Sequence, residues 1–181
     1  GPQAGLIVGR AELIERLRLG PDRRIRPLVL VQVERTGRDQ RDTGHIHSED
    51  VKTYLIERLG VPPGAIAIKS SETDDIEGID LLDPGCPVEW IITKSALQEG
   101  WDCPFAYVLV SLNNTGSGQG MTQLVGRILR QPYQERTPFP ELNESYIYCL
   151  HEHSGEVARQ VKPALEKEGY EGDAFNTVVD D

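Results

Sequence analysis

Apolar residues occur along this chain in short runs set apart by polar stretches and by glycine and proline, and their spacing changes from run to run. In Ala11–Leu19 (AELIERLRL), Leu13, Ile14 and Leu17 recur at helical spacing and the run meets Gly20-Pro21, a stop signal, so a lead-in helix is predicted. Pro27–Val33 (PLVLVQV) is a continuous, β-branched run, the pattern of a buried parallel strand. Ser48-Glu49-Asp50 caps a helix predicted to reach Leu59, with Val51, Leu55 and Leu59 on one face and Gly60 as terminator. Further strands are predicted at Ala65–Lys69, Val88–Thr93, Tyr107–Leu112 and Ser145–Leu150, with Ser70–Asp83 an acidic loop. Gln119–Arg130 reads as a helix with Leu124, Val125 and Ile128 inward, and Gly155–Glu168 as a closing helix. The acidic tail beyond Gly169 is expected to fray.

Strands alternating with helices imply βαβ units and a mainly parallel sheet covered on both faces, an α/β fold of three layers. No internal repeat or low-complexity linker interrupts it. In such sheets ligands sit beyond the carboxyl ends of the strands. A length of 181 residues suits one domain with a single core. Three regions are expected: 1–26 (a tag remnant and the lead-in helix), the body 27–168 and the acidic tail 169–181. Gly1-Pro2 reads as a protease scar, so the chain is expected to be an excised piece of a longer protein.

Composition narrows the possible functions. No apolar run approaches the roughly 20 residues of a spanning helix, and no secretory signal is visible, so no membrane partner is expected. Cys86, Cys103 and Cys149 lack CxxC spacing; a disulfide framework and a zinc ribbon are poor fits, and a reducing cytoplasm is the expected location. His45 and His47 have no partner at ligand spacing, so no metal site is expected. The net charge is −10, yet residues 1–60 carry +2, residues 61–120 carry −7 and residues 121–181 carry −5. Arg16, Arg18, Arg23, Arg24, Arg26, Arg35, Arg38 and Arg41 make the first third basic. Screening confines distant charge to about 10 Å, so such a face can bind phosphate or can simply be solvated.

Two stretches carry candidate chemistry. Ile91–Asp102 (IITKSALQEGWD) leaves a buried strand at Thr93 and turns through Glu99-Gly100-Trp101-Asp102. Gly100 permits close backbone approach, Thr93 and the following amides suit phosphate oxygens, and Asp102 suits a ribose hydroxyl. A loop with a buried Trp101 and a capping Asp102 accounts for the same residues. In Gln123–Arg130 (QLVGRILR), Gln123, Arg127 and Arg130 share a helical face beside Gly126, a phosphate clamp or two paired surface arginines. Gly116-Ser-Gly-Gln-Gly120 has GxGxG rather than GxGxxG spacing and reads better as a loop than as a dinucleotide fingerprint.

Together the two stretches are far more specific than either alone. With LVLVQVERT (Leu28–Thr36), ALQEGWD (Ala96–Asp102) and QLVGRILR (Gln123–Arg130), the chain resembles the second RecA-like domain of superfamily 2 helicases and translocases. It looks most like the restriction subunit (Res) of type III restriction enzymes, from about Pro27 to Glu168. The resemblance implies a three-layer α/β/α RecA-like domain of the P-loop NTPase type. Arg127 and Arg130 would be arginine fingers on the γ-phosphate of ATP, and Gln123 would touch the same phosphates or the catalytic water. Gly100, Asp102 and Gly126 would face the nucleotide. Gln32, Thr36, Thr93 and Lys94 would lie along a DNA backbone, tracking phosphate rather than bases. The Gly116–Gly120 stretch departs from the family pattern before its sixth motif.

No GxxxxGK[ST] and no DExH-like carboxylates occur in the sequence. ATP and its Mg would therefore be held mainly by a preceding RecA-like domain, with nothing tightly bound to this chain, which alone should not hydrolyse ATP. The implied partners are DNA, that upstream domain and, in a restriction system, a modification subunit; no nuclease signature follows Leu150. Two other classes compete: a non-catalytic RecA-like module binding nucleic acid or protein, and a Rossmann-type enzyme resting on Gly116–Gly120.

Overall fold

The computed structural model describes residues 18–20, 23–33, 46–70, 72–94, 105–112 and 143–149, together with 159, 162, 163 and 166. A two-stranded ribbon, β1 (Arg18–Gly20) and β2 (Arg23–Arg24), leads into β3 (Leu28–Gln32). Helix α1 (Ser48–Leu59), a 3-10 turn (Pro63–Ala65) and β4 (Ile66–Lys69) follow, then β5 (Trp90–Thr93), β6 (Ala106–Ser111) and β7 (Tyr146–Cys149). The five longer strands form one sheet in the order β4-β5-β3-β6-β7. Every pairing in it is parallel. This is the α/β architecture with a parallel sheet that the alternation predicts.

Both faces of the sheet are buried, for which the continuous apolar runs are the sequence cause. On one face Val29, Val31, Val33, Ile66, Ile68 and Ile92 pack with Val51 and Leu55 of α1. On the other, Leu28, Leu30, Ile91 and Leu109 are also fully buried. The four described positions of the predicted closing helix, Arg159, Lys162, Pro163 and Glu166, are helical and exposed.

Helix α1 begins and ends for identifiable reasons. The cap is His47 rather than Ser48: the Asp50 carboxylate accepts the His47 backbone N–H at 3.2 Å, one residue earlier than expected. At the other end Gly60 takes the left-handed conformation (φ 68°), and the Val61 N–H donates to the Leu55 carbonyl at 3.0 Å, a Schellman closure.

Only the end of the predicted lead-in helix, Arg18 and Leu19, is corrected. Residues 11–17 lie outside the described residues, and Arg18–Gly20 is a strand paired antiparallel with Arg23–Arg24. Proline at position 21 disfavours helical geometry at Gly20, and the pairing of Arg18 and Gly20 with β2 overrides the local period at these positions.

The acidic loop is structural. The Asp75 carboxylate accepts the Ile68 N–H at 2.9 Å and the Asp75 N–H donates to the Ile68 carbonyl at 3.0 Å, which closes the free edge of β4. Asp80 and Asp83 accept the N–H groups of Leu82 (2.9 Å) and Gly85 (2.7 Å), each two residues on, as turn-forming aspartates do.

Candidate functional site at the carboxyl edge of the sheet

Parallel pairing in register lines up the last residues of all five strands. Lys69 pairs with Thr93, Thr93 with Gln32, Gln32 with Ser111, and Ser111 with Cys149. At a strand spacing of about 4.8 Å this polar row spans about 19 Å. It is the sheet edge where α/β proteins bind ligands. β3, β4 and β5 thus run apolar until their final position, where the chain changes to groups able to hydrogen-bond.

The centre of the row is well ordered. Gln32, Thr93 and Ser111 are 6%, 2% and 3% exposed, so their polar atoms sit where unmade hydrogen bonds are costly. Ser111 Oγ donates to Gln32 Oε1 at 3.2 Å, which fixes the carboxamide. That bond engages the carboxamide oxygen, and the amide nitrogen of the same group is by its chemistry a donor. The backbone ladder continues one residue past β3 and β6: Val33 N–H donates to the Thr93 carbonyl (2.9 Å) and Leu112 N–H to the Gln32 carbonyl (2.8 Å). The edge is therefore a fixed platform. Lys94 follows directly on a bend and is half-buried, while Lys69 is paired with Asp74.

Of the residues the sequence singled out, Gln32, Thr93 and Lys94 come together here although Gln32 and Thr93 are 61 positions apart. Thr36, Gly100, Asp102, Gln123, Gly126, Arg127 and Arg130 lie outside the described residues, as do His45 and the Gly116–Gly120 stretch. Sequence reasoning missed Ser111, whose signal was a single polar residue closing YVLVS.

It also misplaced Arg26, which is not part of a basic surface. Arg26 is 6% exposed, and its Nη1 donates to the carbonyls of Cys86 (2.7 Å) and Val88 (3.0 Å). Its Nη2 donates to the Leu81 carbonyl at 2.6 Å. The fork of one guanidinium thus ties the loop entering β5 to the segment entering β3. Tyr107 is a second buried polar group. It is the extra residue of a bulge, because Leu28 pairs with Ala106 and Val29 with Val108. Its hydroxyl is buried without a hydrogen-bond partner among the described residues, and burial raises the phenol well above its ordinary range.

Among the described residues no group of three or more His, Cys, Asp or Glu could hold a metal ion. Nor, among them, is any helix long and apolar enough to cross a membrane. No protein-family model matches the chain, and no curated protein matches it. Among solved structures it is similar to one described as "ATP-dependent Type ISP restriction-modification enzyme LlaBIII bound to DNA", at 16% identity and a TM-score of 0.45. That match covers 78% of this chain and 10% of the enzyme, so the chain spans about a tenth of that protein's length.

Proposed function

We propose that this chain is the second motor domain of an ATP-dependent DNA helicase or translocase, of the type III restriction or phage-defence kind, working in the cytoplasm. The observation that carries the reading is the register at the carboxyl edge. The strand that begins the LVLVQVERT stretch (β3, ending at Gln32) lies between the strand that precedes ALQEGWD (β5, ending at Thr93) and β6 (ending at Ser111). Parallel pairing thus sets side by side Gln32 and Thr93, with Lys94 next in the chain, three of the four residues that the motif resemblance assigns to a nucleic-acid groove.

The chemistry follows from the residue types. Gln32 offers a fixed amide donor, and Lys94 beside it offers a positive charge; both suit the phosphates of a strand crossing the edge. Arg127 and Arg130, as planar and permanently charged groups, stabilise the charge that develops on a transferring phosphoryl group, and Gln123 orients the water. An upstream RecA-like domain supplies the phosphate loop and the acids for Mg, since this chain has neither motif. Closing the cleft between the domains, and opening it after hydrolysis, changes the grip on DNA and moves the motor.

The test is DNA-stimulated ATP hydrolysis by the protein that carries this chain with its phosphate-loop domain, wild type beside Arg127→Ala/Arg130→Ala. A loss of about 10³-fold or more is expected, with DNA affinity little changed. Near-normal turnover in the variant contradicts the assignment, and absence of turnover in both proteins points to a non-catalytic module.

A further inference from the structure

Gln32 and Ser111, 79 positions apart in sequence, meet at the carboxyl edge on the face of the sheet that carries Leu30 and Leu109. The backbone holds this place rigid: the Leu112 N–H donates to the Gln32 carbonyl at 2.8 Å and the Val33 N–H to the Thr93 carbonyl at 2.9 Å. Both side chains are buried, and the Ser111 hydroxyl donates to Gln32 Oε1 at 3.2 Å. A carboxamide has two unlike ends, an oxygen that accepts and an NH2 that donates, and its last torsion is broad and nearly two-fold. Left alone, such a group presents either end. A hydroxyl that donates to the oxygen selects one orientation, and the NH2 then lies on the side away from Ser111. Lys94, which follows Thr93 in the chain, adds an ammonium with three N–H donors and no acceptor. Gln32 and Lys94 thus both offer donors, the complement of phosphate oxygens.

We propose that Ser111 is a positioning residue for the nucleic-acid backbone: by holding Gln32 Oε1 it turns the amide end of Gln32 toward the phosphates of a strand crossing the carboxyl edge. This rests on the reading of that edge as a nucleic-acid groove, and adds to it a residue that none of the LVLVQVERT, ALQEGWD and QLVGRILR stretches contains. Ser111 itself touches no phosphate; it acts through Gln32. Ordering a glutamine side chain costs conformational entropy, and here the bond to Ser111 orders it before a strand arrives. One such neutral hydrogen bond contributes about 2- to 10-fold in affinity. Because neither group is charged, that contribution does not vary with salt, unlike the contribution of Lys94.

The experiment is a double-mutant cycle read by fluorescence anisotropy of a labelled single strand of about 20 nucleotides with this chain, over about 50 to 200 mM salt. Ser111→Ala is expected to weaken binding about 2- to 10-fold at an unchanged salt slope, and to cause no further loss in a Gln32→Ala background. Ser111→Cys keeps nearly the same volume but offers only a weak donor, so it shows a similar loss, and it carries the cycle should the alanine variant fail to fold. Gln32→Glu retains an oxygen for the Ser111 hydroxyl and, ionised, has no donor, so it binds more weakly than Gln32→Ala. Lys94→Gln lowers the salt slope by about 0.7 whichever residue stands at 111. A Ser111 effect that is the same in both Gln32 backgrounds, or that lowers the salt slope, makes the serine a packing residue and overturns the proposal. Wild-type affinity in Gln32→Glu overturns it too, because the donor end would then go unused. Weaker binding in Gln32→Ala with none in either Ser111 variant overturns the proposal and leaves the groove standing. Full affinity in both Gln32→Ala and Lys94→Gln, or no binding by the wild-type chain, overturns the groove reading and the proposal with it.

Discussion

Replacing Arg26 tests whether one buried guanidinium holds the entry to β5. In Arg26→Met the apolar stem is retained and the charge and its desolvation cost disappear together, so the loss comes from the acceptors left behind. The bonds to the Leu81 and Val88 carbonyls are buried, and the one to Cys86 is partly so. Two buried carbonyls without donors cost about 1–3 kcal/mol each, and the third can turn to water. The expected destabilisation is therefore about 3 kcal/mol, a large part of the roughly 5–15 kcal/mol available to a domain. Arg26→Lys supplies a compact ammonium without the fork, so it leaves at least one carbonyl unmatched and costs about 1–2 kcal/mol. Urea unfolding followed by tryptophan fluorescence should give the order wild type, Lys, Met with an unchanged denaturant slope. Exchange protection should fall first in 81–90. A methionine variant within about 1 kcal/mol of wild type would refute the reasoning, because the three bonds would then be offset by the cost of burying the charge.

Other consequences are equally specific. Tyr107→Phe removes a buried hydroxyl that has no partner among the described residues and should stabilise the chain by about 1 kcal/mol. Because burial raises the folded phenol's pKa, the unfolded chain loses its proton first; wild-type stability therefore falls above about pH 10 and the phenylalanine variant lacks that component, checked by urea melts at pH 9 and pH 11. Asp75→Ala leaves the Ile68 N–H on the free edge of β4 and should cost about 1–2 kcal/mol while increasing concentration-dependent association, read by light scattering. Gly60→Ala meets no atom within 4 Å, so its cost is conformational, about 1 kcal/mol from φ 68°; a stabilised variant in thermal unfolding would show that the helix ends otherwise.

The parts of the fold that were legible in the sequence are those set by local pattern. Five strands and α1 follow from runs such as LVLVQ and from Val51 and Leu55 ahead of Gly60, with ends moved by a residue or two. The strand order was not legible, since no local feature says that β3 lies between β5 and β6. That order is why Ser111 was overlooked: its importance arises only when register sets it beside Gln32. Arg26 was misjudged for the same reason, because its partners are at least 55 residues away and a basic run gives no sign of which member turns inward. At Arg18 the helical period was real but short, and Pro21 with the pairing to Arg24 prevailed. The acidic loop was legible as such, but not that its exposed Asp74, Asp75, Asp80 and Asp83 shape turns and an edge.

The most direct measurement of the central claim compares binding of ADP with binding of ADP plus a metal-fluoride mimic of the transferring phosphoryl group. It uses the DNA-bound protein that carries this chain and its phosphate-loop domain. Arginine fingers act on charge that exists in the transition state, so wild type should hold the mimic at least about 10²-fold more tightly than ADP. Arg127→Ala/Arg130→Ala should bind ADP normally and lose that preference. A variant that keeps the full preference would contradict the assignment of this chain as the arginine-finger half of a motor.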